Sequence, residues 1–264
     1  MLVCALGDLL LDVIVRLDSP LTPGDDATVQ TALTPGGQAA NVAAWAAALG
    51  ARARLVAKSG DDESGELVRR ELEGHGVEVC GPRGDRTGVV VSLVQPGGDR
   101  TMASDRGSSP ELQPDELDET WFHCDALHLS GYSLMREPIA DAATTAAAAA
   151  RAHGATVSVD LSSSAHIREL GAAMRERLER AAPDVVFGNE REWEALGRFD
   201  APTVIVKRGR QGITVNGGDY EALPADAIDT TGAGDALAAG FLLGGPQLAL
   251  ETAARCVGRV GAMP

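Results

Sequence analysis

The sequence predicts an α/β fold with a mostly parallel central sheet covered on both faces and a small β-sheet lid beside it. Three observations carry that expectation. Short apolar runs arrive singly between helix-like stretches, those stretches stop at glycines, and two segments break the alternation. Strands that enter one at a time between helices pair in parallel, because each crossover helix returns the chain to the same side of the sheet. At 264 residues the chain suits one large unit with an appendage, so residues 1–264 are read as a single domain.

Taken in order, Leu2–Leu6 reads as the first strand. Val13–Leu33 follows as an extended, turn-punctuated segment without helical spacing. Asn41–Leu49 reads as a helix stopped by Gly50, Arg54–Ala57 as a strand, and Glu63–Glu73 as a helix stopped by Gly74. In Thr87–Met102 the run TGVVVSLV followed by the turn-like PGGD predicts a hairpin. Segments 13–33 and 87–102 are expected to pair as a lid over a cleft. Ala126–Leu129, Thr156–Asp160, Asp184–Phe187 and Thr203–Lys207 read as further strands, and the Ala-rich Ile139–Ala152, ending before Gly154, as a helix.

Composition narrows the function. Hydrophobic residues make up 44% of the chain but aromatics only 3%, so the core is built from Ala, Val and Leu, and few rings can stack on a base. The 38 acidic and 23 basic residues give a formal charge of −15, which repels nucleic acid and anionic membranes, and neither is expected as a partner. Cys4, Cys80, Cys124 and Cys256 form no C-x-x-C pair, which indicates neither a disulfide framework nor a zinc site and suits a reducing compartment. His123, Cys124 and His128 fall around a strand, where packing is expected rather than metal ligation. The opening MLVCALGDLL lacks the basic lead and long apolar run of a secretion signal or anchor, so a cytoplasmic location is expected. A dinucleotide-dependent oxidoreductase would carry G-x-G-x-x-G after its first strand, and the sequence has none there.

The strongest chemical signal is Asp229-Thr230-Thr231-Gly232-Ala233-Gly234-Asp235, running straight into the apolar ALAAGFLLG. Glycines at a helix start let backbone N–H groups approach an anion, and the helix dipole adds positive potential. A carboxylate beside a phosphate bound there can take a proton from an attacking hydroxyl. On spacing alone, a structural helix cap explains Asp235 equally well. Near the N-terminus, Pro35-Gly36-Gly37-Gln38-Ala39-Ala40-Asn41 leads into another helix. Its glycines allow a ligand to lie on bare backbone, and Asn41 offers sugar hydroxyls both a donor and an acceptor. Asp8 and Asp12 follow the first strand, at the carboxyl end where open α/β sheets place ligands. Asn189 and Glu192 follow the strand DVVFG with oxygen spacing suited to a hard cation held through water, and equally to a helix N-cap. In Val206-Lys207-Arg208-Gly209-Arg210-Gln211-Gly212 the basic residues suit an anionic ligand.

The heptapeptide ending in Asp235 resembles the C-terminal signature D-T-x-G-A-G-D of the ribokinase family, the PfkB carbohydrate kinases, with every fixed position present. The Gly36-Gly37 segment resembles the family's first motif, and the resemblance extends from Gly7 to Gly261-Ala262. It implies a three-layer ribokinase-like fold and transfer of the terminal phosphate of ATP to a sugar-like hydroxyl. Asp235 is then the catalytic base, and the amides of Gly232, Ala233 and Gly234 form the anion hole. Asp12, Gly36, Gly37 and Asn41 are implied to bind the acceptor, with Asp8 as the alternative to Asp12. Asn189 and Glu192 are implied to organise Mg²⁺, while Lys207, Gly209 and Gly212 form the nucleotide-side turn. Asp229 and Thr231 match two ligand positions of the monovalent cation, K⁺, found in some relatives, although the closing loop stops early at Pro264. Arg106 falls where a lid strand should meet the cleft, as a carboxylate clamp or as a surface arginine. A simple polyol sugar leads as acceptor, with sugar acids, nucleosides and a catalytically silent sugar-binding regulator as alternatives. The resemblance also implies a homodimer through the lid.

Overall fold

Strands and helices alternate in the order the glycine punctuation predicts, and the computed structural model describes residues 1–95 and 100–264. The first half contains β1 (Leu2–Leu6), β2 (Leu10–Arg16), β3 (Gln30–Gly36), α1 (Gln38–Ala48), β4 (Arg52–Val56), β5 (Ser59–Gly60), α2 (Glu63–Gly74), β6 (Val77–Cys80), β7 (Arg83–Gly84), β8 (Thr87–Val94) and β9 (Arg100–Gly107). The second contains β10 (Ala126–Ser130), α3 (Ile139–Ala152), β11 (Thr156–Asp160), α4 (Ser164–Leu170), α5 (Ala172–Ala181), β12 (Val185–Asn189), α6 (Glu190–Leu196), β13 (Thr203–Lys207), β14 (Ile213–Val215), β15 (Gly218–Tyr220) and α7 (Ala233–Val257).

The main sheet among the described residues runs β15-β14-β13-β12-β11-β10-β1-β4-β6, parallel from β13 to β6 and antiparallel only at the β13-β14-β15 edge. Because side chains alternate across a strand, β1 feeds two cores. Val3 and Ala5 pack with α1 and α7, around Trp45 and Leu237. Cys4 and Leu6 pack with α3 and α5, around Ile139 and Leu178. That is the expected three-layer arrangement. Alanines on the facing sides of α1 and α7 bury completely, which lets the two helices approach closely without bulky side chains between them. The helix α7 is broken at Gly244 and Gly245, whose backbone leaves the helical region, and Pro246 begins its second half.

A second sheet, β3-β2-β8-β9, stands beside the main one, with β2 and β8 parallel at its centre. It is longer than the sequence suggests. Rather than Val13–Leu33 and Thr87–Met102, its strands begin at Leu10 and continue to Gly36 and Gly107, and residues 17–29 form no strand. The physical reason is that no breaker separates Leu9 from Val15, so pairing starts almost where the chain leaves the main sheet. The turn expected at 96–99 lies outside the described residues. His128 is fully buried in β10, with Nδ1 3.0 Å from Ser158 Oγ, and burial lowers its pKa to about 4. None of the helices of the described residues is long and apolar enough to cross a membrane.

Candidate active site

The start of α7 leaves backbone donors open. Gly232, its N-cap, has φ +73°, and a Cβ there would lie 2.6 Å from the Cβ of Ala262. Only glycine fits that left-handed, crowded position. The first amides of a helix have no carbonyl behind them. Here Ala233 N–H reaches the Thr230 carbonyl at a long 3.4 Å, whereas among the described residues the Gly234 and Asp235 amides have no hydrogen-bond partner. The Gly232 amide is likewise without a partner among the described residues, so both glycine amides of the Gly232-Ala233-Gly234 set are open and the Asp235 amide joins them.

Asp235 sits in the first turn of α7 and is buried. Burial raises its pKa to about 7, opposed by a hydrogen bond from Asn41, assisted by the Asp160 carboxylate, and opposed again by Lys207 and Gln38. The Asn41 amide donates to Asp235 Oδ2 at 2.7 Å, which fixes the carboxylate's orientation. The other end of the same side chain, Oδ1, is a buried acceptor without a protein partner.

On one side of this turn lies a cavity of about 610 Å³ whose lining includes Asp12, Gly37, Asn41, Arg106, Thr231, Gly232 and Asp235. Two glycine-marked segments distant in sequence thus meet around one space. Asp12, on β2 of the small sheet, is half-buried, and desolvation raises its pKa to about 6. Gly36 lies behind it rather than on the wall: a Cβ there would fall 2.2–2.3 Å from the Asp12 carboxylate atoms. Gly37, at φ +104°, has the Asp8 carbonyl oxygen 2.3 Å from where its Cβ would be. Arg106 is neither a free clamp nor a surface arginine. Its Nε and Nη2 donate to both oxygens of buried Asp8, at 2.8 and 2.6 Å, and its guanidinium lies 5.7 Å from the Tyr132 ring centre.

On the other side lies a cavity of about 540 Å³, lined by Lys207, Gly209, Arg210 and Gly212, by Ala233 and Gly234, and by the apolar side chains of Leu223, Leu237 and Leu250. Such walls suit a flat apolar group, and the cations suit its phosphates. Lys207 Nζ donates to Asp160 Oδ2 at 2.6 Å. Burial works against its charge, but Asp160 and Glu192 more than offset that and raise its pKa. Asn189 and Glu192 form a reciprocal helix cap: Glu192 Oε2 and Oε1 accept from the Asn189 amide and side chain at 2.8 and 2.7 Å. Neither residue lines either cavity. Asp229 Oδ1 accepts from Thr231 N and Oγ1, and Oδ2 accepts from Gly261 N. These contacts stitch the turn to the closing loop.

Several participants carry no local mark in the sequence. Gln38, inside the glycine-rich segment, accepts from Ser130 and Ser162 hydroxyls at 2.7 and 2.5 Å, linking two strand ends to the Asp235 pocket. Asp160 ends β11 beside Lys207. The rule that ligands gather at strand carboxyl ends points to Asp160 and Ser130. Nothing comparable points to Arg136, which lines the 610 Å³ cavity from the loop after β10.

The arrangement has close counterparts. The chain is 36% identical to an ATP-dependent ribose-1-phosphate kinase of Halopiger xanaduensis, over 98% of this chain and 93% of that protein. It is 30% identical to a fructokinase of Escherichia coli, over 98% and 89%. A crystal structure of adenosine kinase from Sinorhizobium meliloti superposes with a TM-score of 0.87 at 26% identity, over 99% and 95% of the two chains. The profile of the pfkB family carbohydrate kinases matches residues 1–263. With two cavities meeting at one helix N-terminus, a buried carboxylate on the wall of one of them, and a sequence match over nearly its whole length, the chain belongs to the pfkB family of carbohydrate kinases.

Proposed function

We propose that the protein transfers the γ-phosphoryl group of ATP to a hydroxyl of a sugar or sugar derivative, with Asp235 as the general base. The observation that carries this reading is the position of Asp235, on the wall of the acceptor-side cavity, one residue from Gly234 on the wall of the other. ATP would lie in the 540 Å³ cavity with its phosphates toward Lys207 and the start of α7. The acceptor would lie in the 610 Å³ cavity beside Asp12 and Asn41, whose unpaired Oδ1 suits a sugar hydroxyl. The acceptor oxygen attacks phosphorus as its proton passes to the Asp235 carboxylate and the bond to the ADP oxygen breaks. The Gly234 and Asp235 amides, already aimed by the helix start, stabilise charge on the transferring group.

Mg²⁺ bound with the nucleotide would neutralise phosphate charge. Asn189 and Glu192 fit it only through its water shell, because both Glu192 oxygens already accept hydrogen bonds and retain their second lone pairs. The small sheet, which supplies Asp12 and Arg106 to the acceptor cavity, acts as a lid that excludes water when it closes. Its half-exposed Leu33 and Met102 offer the surface for a homodimer. A cytoplasmic site of action fits the free thiols.

The test is ADP release from Mg²⁺-ATP against sugars, sugar acids, sugar phosphates and nucleosides, with the Asp235→Asn protein as the blank. Acceptor-dependent release above the blank supports the reading. Equal release by the two proteins removes Asp235 as the base. Acceptor binding without release by either protein favours a sugar-binding regulator.

A further inference from the structure

We propose that Arg136 forms an anion subsite in the acceptor cavity, so that the preferred acceptor is a sugar bearing a phosphate or carboxylate in addition to its reacting hydroxyl. This rests on the kinase reading above and specifies its substrate class.

The argument begins with how the cavity's cations are used. Arg106 is committed to Asp8 through two hydrogen bonds, so its charge is balanced inside the protein. Arg136 lines the same cavity, is exposed, and its side chain has no hydrogen bond or ion pair among the described residues. Its acidic neighbour in the chain is turned away: Glu137 Oε1 is ion-paired with Arg177 Nη2 at 2.9 Å, and Oε2 accepts from the Asp141 amide. The backbone carbonyl of Arg136 is fixed by the Ala140 amide at the start of α3, so the guanidinium is carried by a rigid turn.

The surroundings make that cation informative. The cavity also presents Asp8, Asp12, Glu169 and Asp235, and the whole chain carries a charge of −15. A neutral sugar would need only hydroxyl-binding groups in such a space, whereas an anionic one would be repelled without a local cation. A guanidinium supplies two parallel donors that match a carboxylate or phosphate, a geometry an ammonium does not reproduce. His166 lines the same wall, with Nδ1 3.0 Å from Ser163 Oγ and its ring edge-on to Tyr132. Glu169, on the wall as well, opposes the subsite by charge, and the proposal requires Arg136 to outweigh it.

The experiment compares ribose 1-phosphate, gluconate, ribose and fructose as acceptors for the full-length enzyme, its Arg136→Ala and Arg136→Lys variants, and Arg198→Ala. Arg198 is an exposed arginine outside both cavities and controls for loss of a surface charge. The expected result is a preference of the wild type for an anionic acceptor that falls about tenfold or more in Arg136→Ala. The loss appears in the acceptor KM, is partly restored in Arg136→Lys, and is absent in Arg198→Ala. Whether ribose 1-phosphate or gluconate shows the larger loss identifies the anion as phosphate or carboxylate. A wild type that prefers the neutral sugars, or a preference that Arg136→Ala leaves unchanged, overturns the proposal while leaving the kinase reading intact. Calorimetric binding of ribose 1-phosphate and gluconate without nucleotide decides it independently of turnover. Binding weakened by Arg136→Ala supports the subsite even if the kinase reading fails, and binding that Arg136→Ala does not change removes it.

Discussion

Arg106, on the last turnward stretch of β9, sets one edge of its guanidinium, Nε and Nη2, against both carboxylate oxygens of Asp8, which stands just beyond β1. Residues far apart in the chain thereby join the small sheet to the main one beside the acceptor cavity. The Asp8 side chain is 6% exposed and that of Arg106 19%, so removing either partner strands a charge in a place with little water. Asp8→Ala and Arg106→Ala are each expected to cost about 2–4 kcal/mol of stability. The double variant should cost less than the sum of the two. Urea denaturation of all four proteins measures the coupling, and additive losses would remove the pair as a stabilising unit.

The burial of Asp235 sets a pH window. With its pKa raised to about 7, the carboxylate is protonated and unable to act as a base below neutrality. The rate at subsaturating acceptor should rise about tenfold per pH unit as pH approaches 7 from below, then level off. A flat profile between pH 5 and pH 8 would separate the rate from this residue.

The same group has a stability sign opposite to that of a salt-bridged acid. Its folded pKa lies above the ordinary 3.8, so between about pH 4 and pH 7 the folded state holds a proton that the unfolded state has released. Stability from this site is therefore present at low pH and declines as pH rises through the folded pKa. Asp235→Asn keeps a carbonyl oxygen for Asn41 and removes the buried charge. Its melting temperature relative to the wild type should increase from pH 5 to pH 8, corresponding to about 2 kcal/mol at the upper end. A difference independent of pH would contradict this.

Gly36 is a test of crowding without backbone strain, because its φ is not in the left-handed region. A methyl group in Gly36→Ala would occupy the space of the Asp12 carboxylate, 2.2–2.3 Å away, and push that side chain into the cavity. The acceptor KM is expected to rise about tenfold or more, with the nucleotide KM little changed. The opposite pattern in steady-state kinetics would place Asp12 away from the acceptor.

Lys207 neutralises Asp160, whose side chain is 1% exposed. Lys207→Met should cost about 3 kcal/mol by leaving that carboxylate unpaired, and should also weaken nucleotide binding. Asp160→Asn combined with Lys207→Met should recover stability but not nucleotide affinity. Thermal melting with and without ATP separates the two effects.

The sequence makes the chemistry legible where glycines mark the turns. Gly232 and Gly234 announce the helix start that carries Asp235, and Gly36 and Gly37 announce the segment that brings Asn41. The alternating strands and helices likewise disclose the parallel sheet. Contacts that depend on strand order are not written locally. Asp160 meets Lys207 because β11, β12 and β13 are neighbours, and Gln38 meets Ser162 because α1 starts over the ends of β10 and β11. A lone arginine in a loop looks the same whether or not it is paired, which is why Arg106 and Arg136 exchange significance once their neighbours are known.

The parallel pairing of β2 with β8 places Leu10 beside Gly88, so the central ladder of the small sheet joins strands separated in the chain by α1, α2 and the strands between them. Its central ladder carries a long loop-closure cost and buries fewer side chains than the main sheet. In native-state hydrogen exchange the amides of β2, β3, β8 and β9 should exchange as one cooperative unit, well before those of β1 and β10. The order in which the chain assembles would then be the reverse of the order in which it loosens, with the element that covers the acceptor the last to lock and the first to let go.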